Sequence, residues 1–87
     1  MNYLLLIDYA VIEFLETLPR SQQRLLRNRF VDIRSDPQRF SDYVESDSDG
    51  HRVDIHICGR FAIKFWQDHA DRHIKILDTL FADQAKR

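Results

Sequence analysis

These 87 residues predict an α+β domain: a strand, a helical hairpin, then a four-strand antiparallel meander, with two helices on one face of a twisted sheet. Three observations lead there. Apolar residues recur at helical spacing between positions 9 and 35, and alternate with polar ones from 41 onward. Pro19, Pro37, Gly50 and Gly59 fall at the joints between these runs. Residues 1–87 read as one domain, near the lower end of what a single core stabilises.

"NYLLLID" (2–8) is an apolar run of strand type, expected to be covered on both faces. In "YAVIEFLETLP" the period changes. Val11, Phe14, Leu15 and Leu18 stand at i, i+3, i+4 and i+7, leaving Glu13 and Glu16 outside the stripe. Pro19 disfavours the α region at Leu18 and stops that helix. Ser21 is the expected N-cap of a second helix with a Leu26, Phe30 and Ile33 stripe, ended by Pro37. "SDYVES" (41–46) is a weak strand, and "DSDG" turns the chain with Gly50 free to take positive φ.

"HRVDIHICGRFAIKFW" (51–66) forms two alternating runs hinged at Cys58-Gly59. The expectation is that Val53, Ile55, Ile57, Phe61, Ile63 and Phe65 face the helices. Arg52, Asp54, His56, Arg60, Lys64 and Trp66 would then share the uncovered face. "QDHAD" turns again, and "RHIKILDTL" (72–80) is the last strand, with Ile74 and Ile76 inward and Lys75 outward.

A 44% hydrophobic fraction with six phenylalanines, three tyrosines and one tryptophan is enough for a folded core. Cys58 alone excludes an internal disulfide and suits a reducing cytosol. No apolar run is long enough to span a bilayer, so a cytoplasmic protein without membrane contact is expected. The net charge of −1 is no signature of a strong nucleic-acid binder, yet it averages unlike segments. Residues 1–19 carry −3, 20–39 carry +4, 40–54 carry −4 and 55–87 carry +2.

"VIEFLETLP" (11–19), "SDPQRFSDY" (35–43) and "GRFAIKFW" (59–66), in this order of elements, resemble the RelE/ParE superfamily, the small toxins of bacterial type II toxin–antitoxin modules. The resemblance implies a RelE/ParE-like fold and a small cognate antitoxin, docked as a helix beside the helical hairpin or as a strand on a sheet edge. RelE-type members cut messenger RNA in the ribosomal decoding site without a metal; ParE-type members inhibit DNA gyrase. Translation is therefore the expected target. The alternatives are a gyrase inhibitor, a non-catalytic relative acting by protein binding, or an interaction module covered by a second copy. For a ribonuclease, the resemblance implies cations that stabilise the phosphate and an acid/base group. His56, Arg60 and Lys64 are the catalytic candidates, with Arg52, Trp66 and Lys75 holding substrate. Two positions depart from the nuclease pattern: Ala62 stands where an arginine is usual and Asp54 where a lysine is.

No cofactor or metal is expected. His69 and His73 fall across a turn into a strand, and Cys58 has no second thiol. Trp66 is either a stacking platform or a side chain tucked beneath the tail "FADQAKR". Arg20, Arg24, Arg27, Arg29 and Arg34 read as a solvated helix face paired with Glu13, Glu16 or Asp32, or as a face for ribosomal RNA.

Overall fold

The apolar stripes of the first half seat two helices on one face of a five-stranded sheet. This is a computed structural model, and it describes residues 3–85. In chain order the elements are β1 (Leu4–Ile7), α1 (Tyr9–Glu16), α2 (Arg20–Ser35), a 3₁₀ turn (Pro37–Phe40), β2 (Tyr43–Ser46), β3 (Arg52–Cys58), β4 (Phe61–Asp68), β5 (His73–Phe81) and a single helical turn, α3 (Ala82–Ala85). The sheet order is β1-β5-β4-β3-β2. The last four strands form the expected antiparallel meander, and β1 joins its far edge parallel to β5.

Asp8 caps α1, its side chain accepting the Ala10 amide at 3.0 Å. The second helix starts two residues earlier than Ser21 as its N-cap predicts. Its N-cap is Pro19, whose φ of −58° already suits helix entry and whose carbonyl accepts the Gln22 and Gln23 amides at 3.0 Å. The α2 stripe of Leu26, Phe30 and Ile33 is buried as read; of the first stripe Val11 and Leu15 are buried, while Phe14 and Leu18 are partly buried and Leu18 lies past the end of α1. They pack on Cys58, Phe61, Ile63, Phe65, Ile74 and Ile76 of the sheet. Each large side chain so covered contributes roughly 1.5–3 kcal/mol of transfer free energy.

The first strand departs from expectation. Leu5 and Ile7 pack against the core, but Leu4 is 58% and Leu6 38% exposed. It is an edge strand covered on one face only.

The larger departure is in strand parity. Gly59 and Arg60 are a two-residue hairpin loop, with Gly59 at φ 60°, the positive φ that a type II′ turn requires at its first residue. Such a loop makes its two flanking residues direct partners, so Cys58 faces Phe61, His56 faces Ile63 and Asp54 faces Phe65. Partners share a face. The even positions of β3 therefore lie with the odd positions of β4, under the helices. Val53, Ile55 and Ile57 lie instead on the uncovered face, where Ile55, Ile57, Ala62 and Leu80 form their own apolar cluster. A second shift occurs on β5. Lys64 pairs with Asp78 but Phe65 with Ile76, leaving Leu77 as a bulge residue. Ile74 and Ile76 thus face the helices, and beyond the bulge Thr79 and Phe81 do.

Candidate functional site

The expected row of cations does not assemble. His56 is 7% exposed beneath α2, held from both sides. Its Nδ1 lies 2.8 Å from Asp42 Oδ2, and Arg29 Nη1 lies 2.8 Å from its Nε2. A guanidinium only donates, so Nε2 accepts, Nδ1–H donates to Asp42, and the ring is neutral. Burial pushes the imidazole below its ordinary value, and Arg29 adds to this while Asp42 opposes it. The Ile57 amide also donates to Asp42 at 2.8 Å. Phe40 meets the ring edge-on at 5.1 Å and takes the Arg29 guanidinium over its own face at 5.2 Å. This group ties α2, β3 and the 3₁₀ turn together, and it leaves His56 no free nitrogen.

Arg60 sits in the hairpin loop with its guanidinium 5.3 Å from the centre of the Phe81 ring. Lys64 is on the uncovered face, where its Nζ donates to Glu45 Oε1 at 2.8 Å. The two residues stand on β4 and β2, so the pair reaches across β3, and the lysine stem screens Ile55, its direct partner. His56, Arg60 and Lys64 occupy three separate surroundings. Cys58 is buried, and burial raises its thiol, which leaves it unsuited to nucleophilic chemistry.

Arg52, Trp66 and Lys75 do come together. Trp66 is directly opposite Lys75 across β4 and β5, and both line a cleft with Asp47, His51, Arg52, Val53 and Leu77. An adjoining cleft continues past Arg52 and Trp66 to Gln38, Asp54, Gln67 and His69. Asp54, 1% exposed, sets the arginine in place: its Oδ1 accepts Arg52 Nε at 3.2 Å and Nη2 at 3.1 Å, and the Ser41 hydroxyl at 2.6 Å. Gln67 donates to the other oxygen at 3.2 Å. The Arg52 side chain remains 61% exposed, with Nη1 unbonded among the described residues. The cleft offers an aromatic side chain, 36% exposed as a residue, with Lys75 as its cross-strand partner, and Arg52, held by Asp54, joins its lining from the other face of the sheet. It fits a planar base flanked by phosphates. The tail does not cover Trp66 as far as it is described: Ala82 and Asp83 line a different cleft with Arg60 and Phe81. Residues 86 and 87 lie outside the described part of the chain.

Two groups have ligand atoms within 4.8 Å of one another, Asp47–Asp49–His51 and Asp68–Asp71–His73. Both are exposed or half-exposed turn groups. Asp47 Oδ1 accepts the Asp49 and His51 amides, at 2.9 and 2.8 Å. The His51 amide is foremost in holding this carboxyl below its ordinary value.

No protein-family model matches the chain, and no curated protein resembles it in sequence. Solved structures do match. RelE in the archaeal RelE–RelB complex from Pyrococcus horikoshii superposes with a TM-score of 0.77 at 20% identity, over 93% of this chain and 96% of that one. The fold is that of RelE. The RelBE2 toxin–antitoxin complex from Mycobacterium tuberculosis gives 0.73 at 14% identity, over 93% of this chain and 99% of that one.

On this RelE fold the apolar Ile55, Ile57, Ala62 and Leu80 hold the centre of the uncovered face, and the polar cleft lies towards one end. Sequence reasoning missed the roles of Asp42 and Arg29. Neither is near His56 in sequence, and only the packing of α2 over β3 brings them together. A signal for the parity change was present: Cys58-Gly59-Arg60-Phe61 is a two-residue hairpin pattern, and its register fixes the flip.

Proposed function

We propose that this protein is the toxin of a toxin–antitoxin pair and acts on translation by engaging single-stranded RNA in the cleft at Trp66. The observation that carries the reading is the joint one of fold and cleft. The chain shares its fold, over 93% of its length, with RelE crystallised with RelB, and it gathers Arg52, Trp66 and Lys75 around one exposed groove. Trp66 would stack a base, with Lys75 and the free edge of Arg52 on the neighbouring phosphates. A small antitoxin would hold the protein inactive, and the site of action would be the cytoplasm. Metal-free cleavage through His56 draws no support from the geometry, since both imidazole nitrogens are engaged and no other catalytic candidate adjoins it. Binding of RNA is therefore the activity proposed.

One observation favours a second reading. Ile57 and Leu80, the partly exposed members of the apolar cluster around Ala62, where a nuclease would carry an arginine, suit a protein target such as gyrase. The test is brief induction in a bacterial host, following amino-acid and thymidine incorporation while mapping message ends. Translation arrest that is relieved by Trp66→Ala, and by coexpression of the product of the neighbouring gene, is the expected result. Replication arrest with translation intact would transfer the reading to the protein target. Undisturbed growth would reject both.

A further inference from the structure

The sheet ends in two edges, β1 and β2, each bordered by a single strand among the described residues, and the two differ in character. An open edge is a template for a further strand unless charge, proline or a bulge blunts it. Glu45 stands within β2, with Asp42 and Asp47 just outside its ends, so two copies of that edge would bring carboxylates together. β1 reads Leu4-Leu5-Leu6-Ile7, with no charged residue, proline or glycine, and its register against β5 runs without a shift. Leu5, Ile7 and the preceding Tyr3 pack on the core beneath the helices. Leu4 and Leu6, still 58% and 38% exposed, lie on the uncovered face beside His73 and Lys75.

The backbone dictates how a strand added to β1 would sit. The Leu4 amide donates to the Arg72 carbonyl at 2.8 Å and the Asp8 amide to the Ile76 carbonyl at 3.0 Å, both towards β5. Backbone direction alternates along a strand, so the N–H and C=O groups of Leu5 and Ile7 point out from the edge. Three requirements are met together when β1 lies antiparallel to itself with Leu5 opposite Leu5. Leu5 exchanges two hydrogen bonds with its copy, and Ile7 falls opposite Tyr3 of the second copy. Leu4 falls opposite Leu6 in the close, non-hydrogen-bonded pairing where cross-strand side chains touch. The exposed leucines of the two chains then cover one another, and no ionised side chain of either strand enters the contact. Two leucines also separate Lys75 from His73 of the second copy, so the flanking cations do not meet. We infer that β1 pairs with β1 of a second copy, joining two five-stranded sheets into one of ten strands. This match of one edge with itself in register, facing and charge is what an isologous two-fold contact requires, and an unrelated strand would gain nothing from it. The axis stands perpendicular to the sheet, so both Trp66 clefts open on the same side.

One short strand buries less than the roughly 800 Å² per partner of a tight complex, which places the dimer in the transient class, with a dissociation constant on the order of 10–100 µM. The experiment is sedimentation velocity of the full chain over about 5–500 µM, where mass action should carry it from monomer to dimer. Leu4→Lys/Leu6→Lys changes only exposed side chains and should stay monomeric throughout, with dichroism and melting verifying its fold. Val44→Lys, on the β2 edge and 47% exposed before the change, should dimerise as the native chain does. The register has its own test. Leu4→Cys chains mixed with Leu6→Cys chains should oxidise to a cross-linked pair, since direct partners stand about 4.5 Å apart at Cα. Leu4→Cys alone should not, its two copies being about 8 Å apart. Cys58 is buried and stays out of the reaction. Monomer at every concentration overturns the inference, as does a dimer that survives the double lysine variant or is lost in Val44→Lys. Cross-linking of Leu4→Cys alone as fast as of the mixture overturns the register. None of these readouts depends on RNA binding or growth arrest, so the toxin reading can fail while the dimer stands, and the reverse.

Discussion

Arg29 donates to His56 across 2.8 Å, a cation aimed at the one ring nitrogen that has no proton. The contact exists only while the imidazole is neutral, and this makes the fold sensitive to acid. The folded ring takes up a proton at lower pH than the unfolded one, because burial and Arg29 both disfavour its charged form. Stability is then complete above the unfolded value of about 6.5 and falls as the pH drops from there towards the folded value. Urea midpoints measured at about pH 7.5 and 5.5 should differ in the native protein and differ less in His56→Gln. Equal differences in the two proteins would remove His56 as the cause.

Arg29→Met should cost about 1–3 kcal/mol, since it strands Nε2 of a buried ring and removes the cation from the face of Phe40. The same substitution takes away a repelling charge, so the His56 proton should be held to a higher pH. Chemical denaturation measures the first effect and an NMR titration of the imidazole the second.

How much of this was legible in the sequence depends on what carried the information. The helices were, because Val11, Leu15, Leu26, Phe30 and Ile33 repeat a period that only one backbone conformation satisfies, and all five are buried. The order of strands was too, since the turn residues stand between alternating runs. Facing was not. One residue more or less in the Gly59-Arg60 loop, or the absence of Leu77 from β5, exchanges the two faces of everything beyond it. Carrying the same odd/even facing across the Cys58-Gly59 hinge put His56 on the face of Lys64, when the hairpin puts the thickness of the sheet between them. Trp66 and Lys75 were legible as neighbours because both read as outward and they are cross-strand partners, whereas Arg52, the first residue of β3, joins the cleft from the other face.

Thr79 lies 2% exposed opposite Ile63, and its Oγ1 has no hydrogen-bond partner among the described residues. Thr79→Val keeps the shape and deletes the stranded hydroxyl. It should raise stability by about 1 kcal/mol, seen as a higher urea midpoint at unchanged m-value. A loss of stability would mean that the hydroxyl is satisfied in solution.

Nothing lies within 4 Å of where a Cβ on Gly59 would sit, so space is not the constraint there; φ is. Gly59→Ala should therefore cost about 1–2 kcal/mol through the left-handed backbone alone. Gly59→Asn should cost less than Gly59→Ala, a ranking that thermal melts of the two variants would check.

Stacking on Trp66 should account for about 1–3 kcal/mol of single-stranded RNA binding, so Trp66→Ala is expected to weaken it about 5- to 150-fold. Binding should also quench the fluorescence of this one tryptophan. Lys75→Ala should cost less affinity and reduce the salt slope by about 0.7, the share of a single phosphate on a single strand.

The parallel pairing of β1 with β5 joins Leu4 to His73, two residues far apart in sequence. A nascent polypeptide emerging from the ribosome has nothing to lay its first strand against until the last has been made. Leu5 and Ile7 wait unsheltered through most of synthesis, and the closing of the sheet is a late, long-range event. Truncated products therefore cannot complete the architecture. The five-stranded sheet is withheld until β5 has been translated.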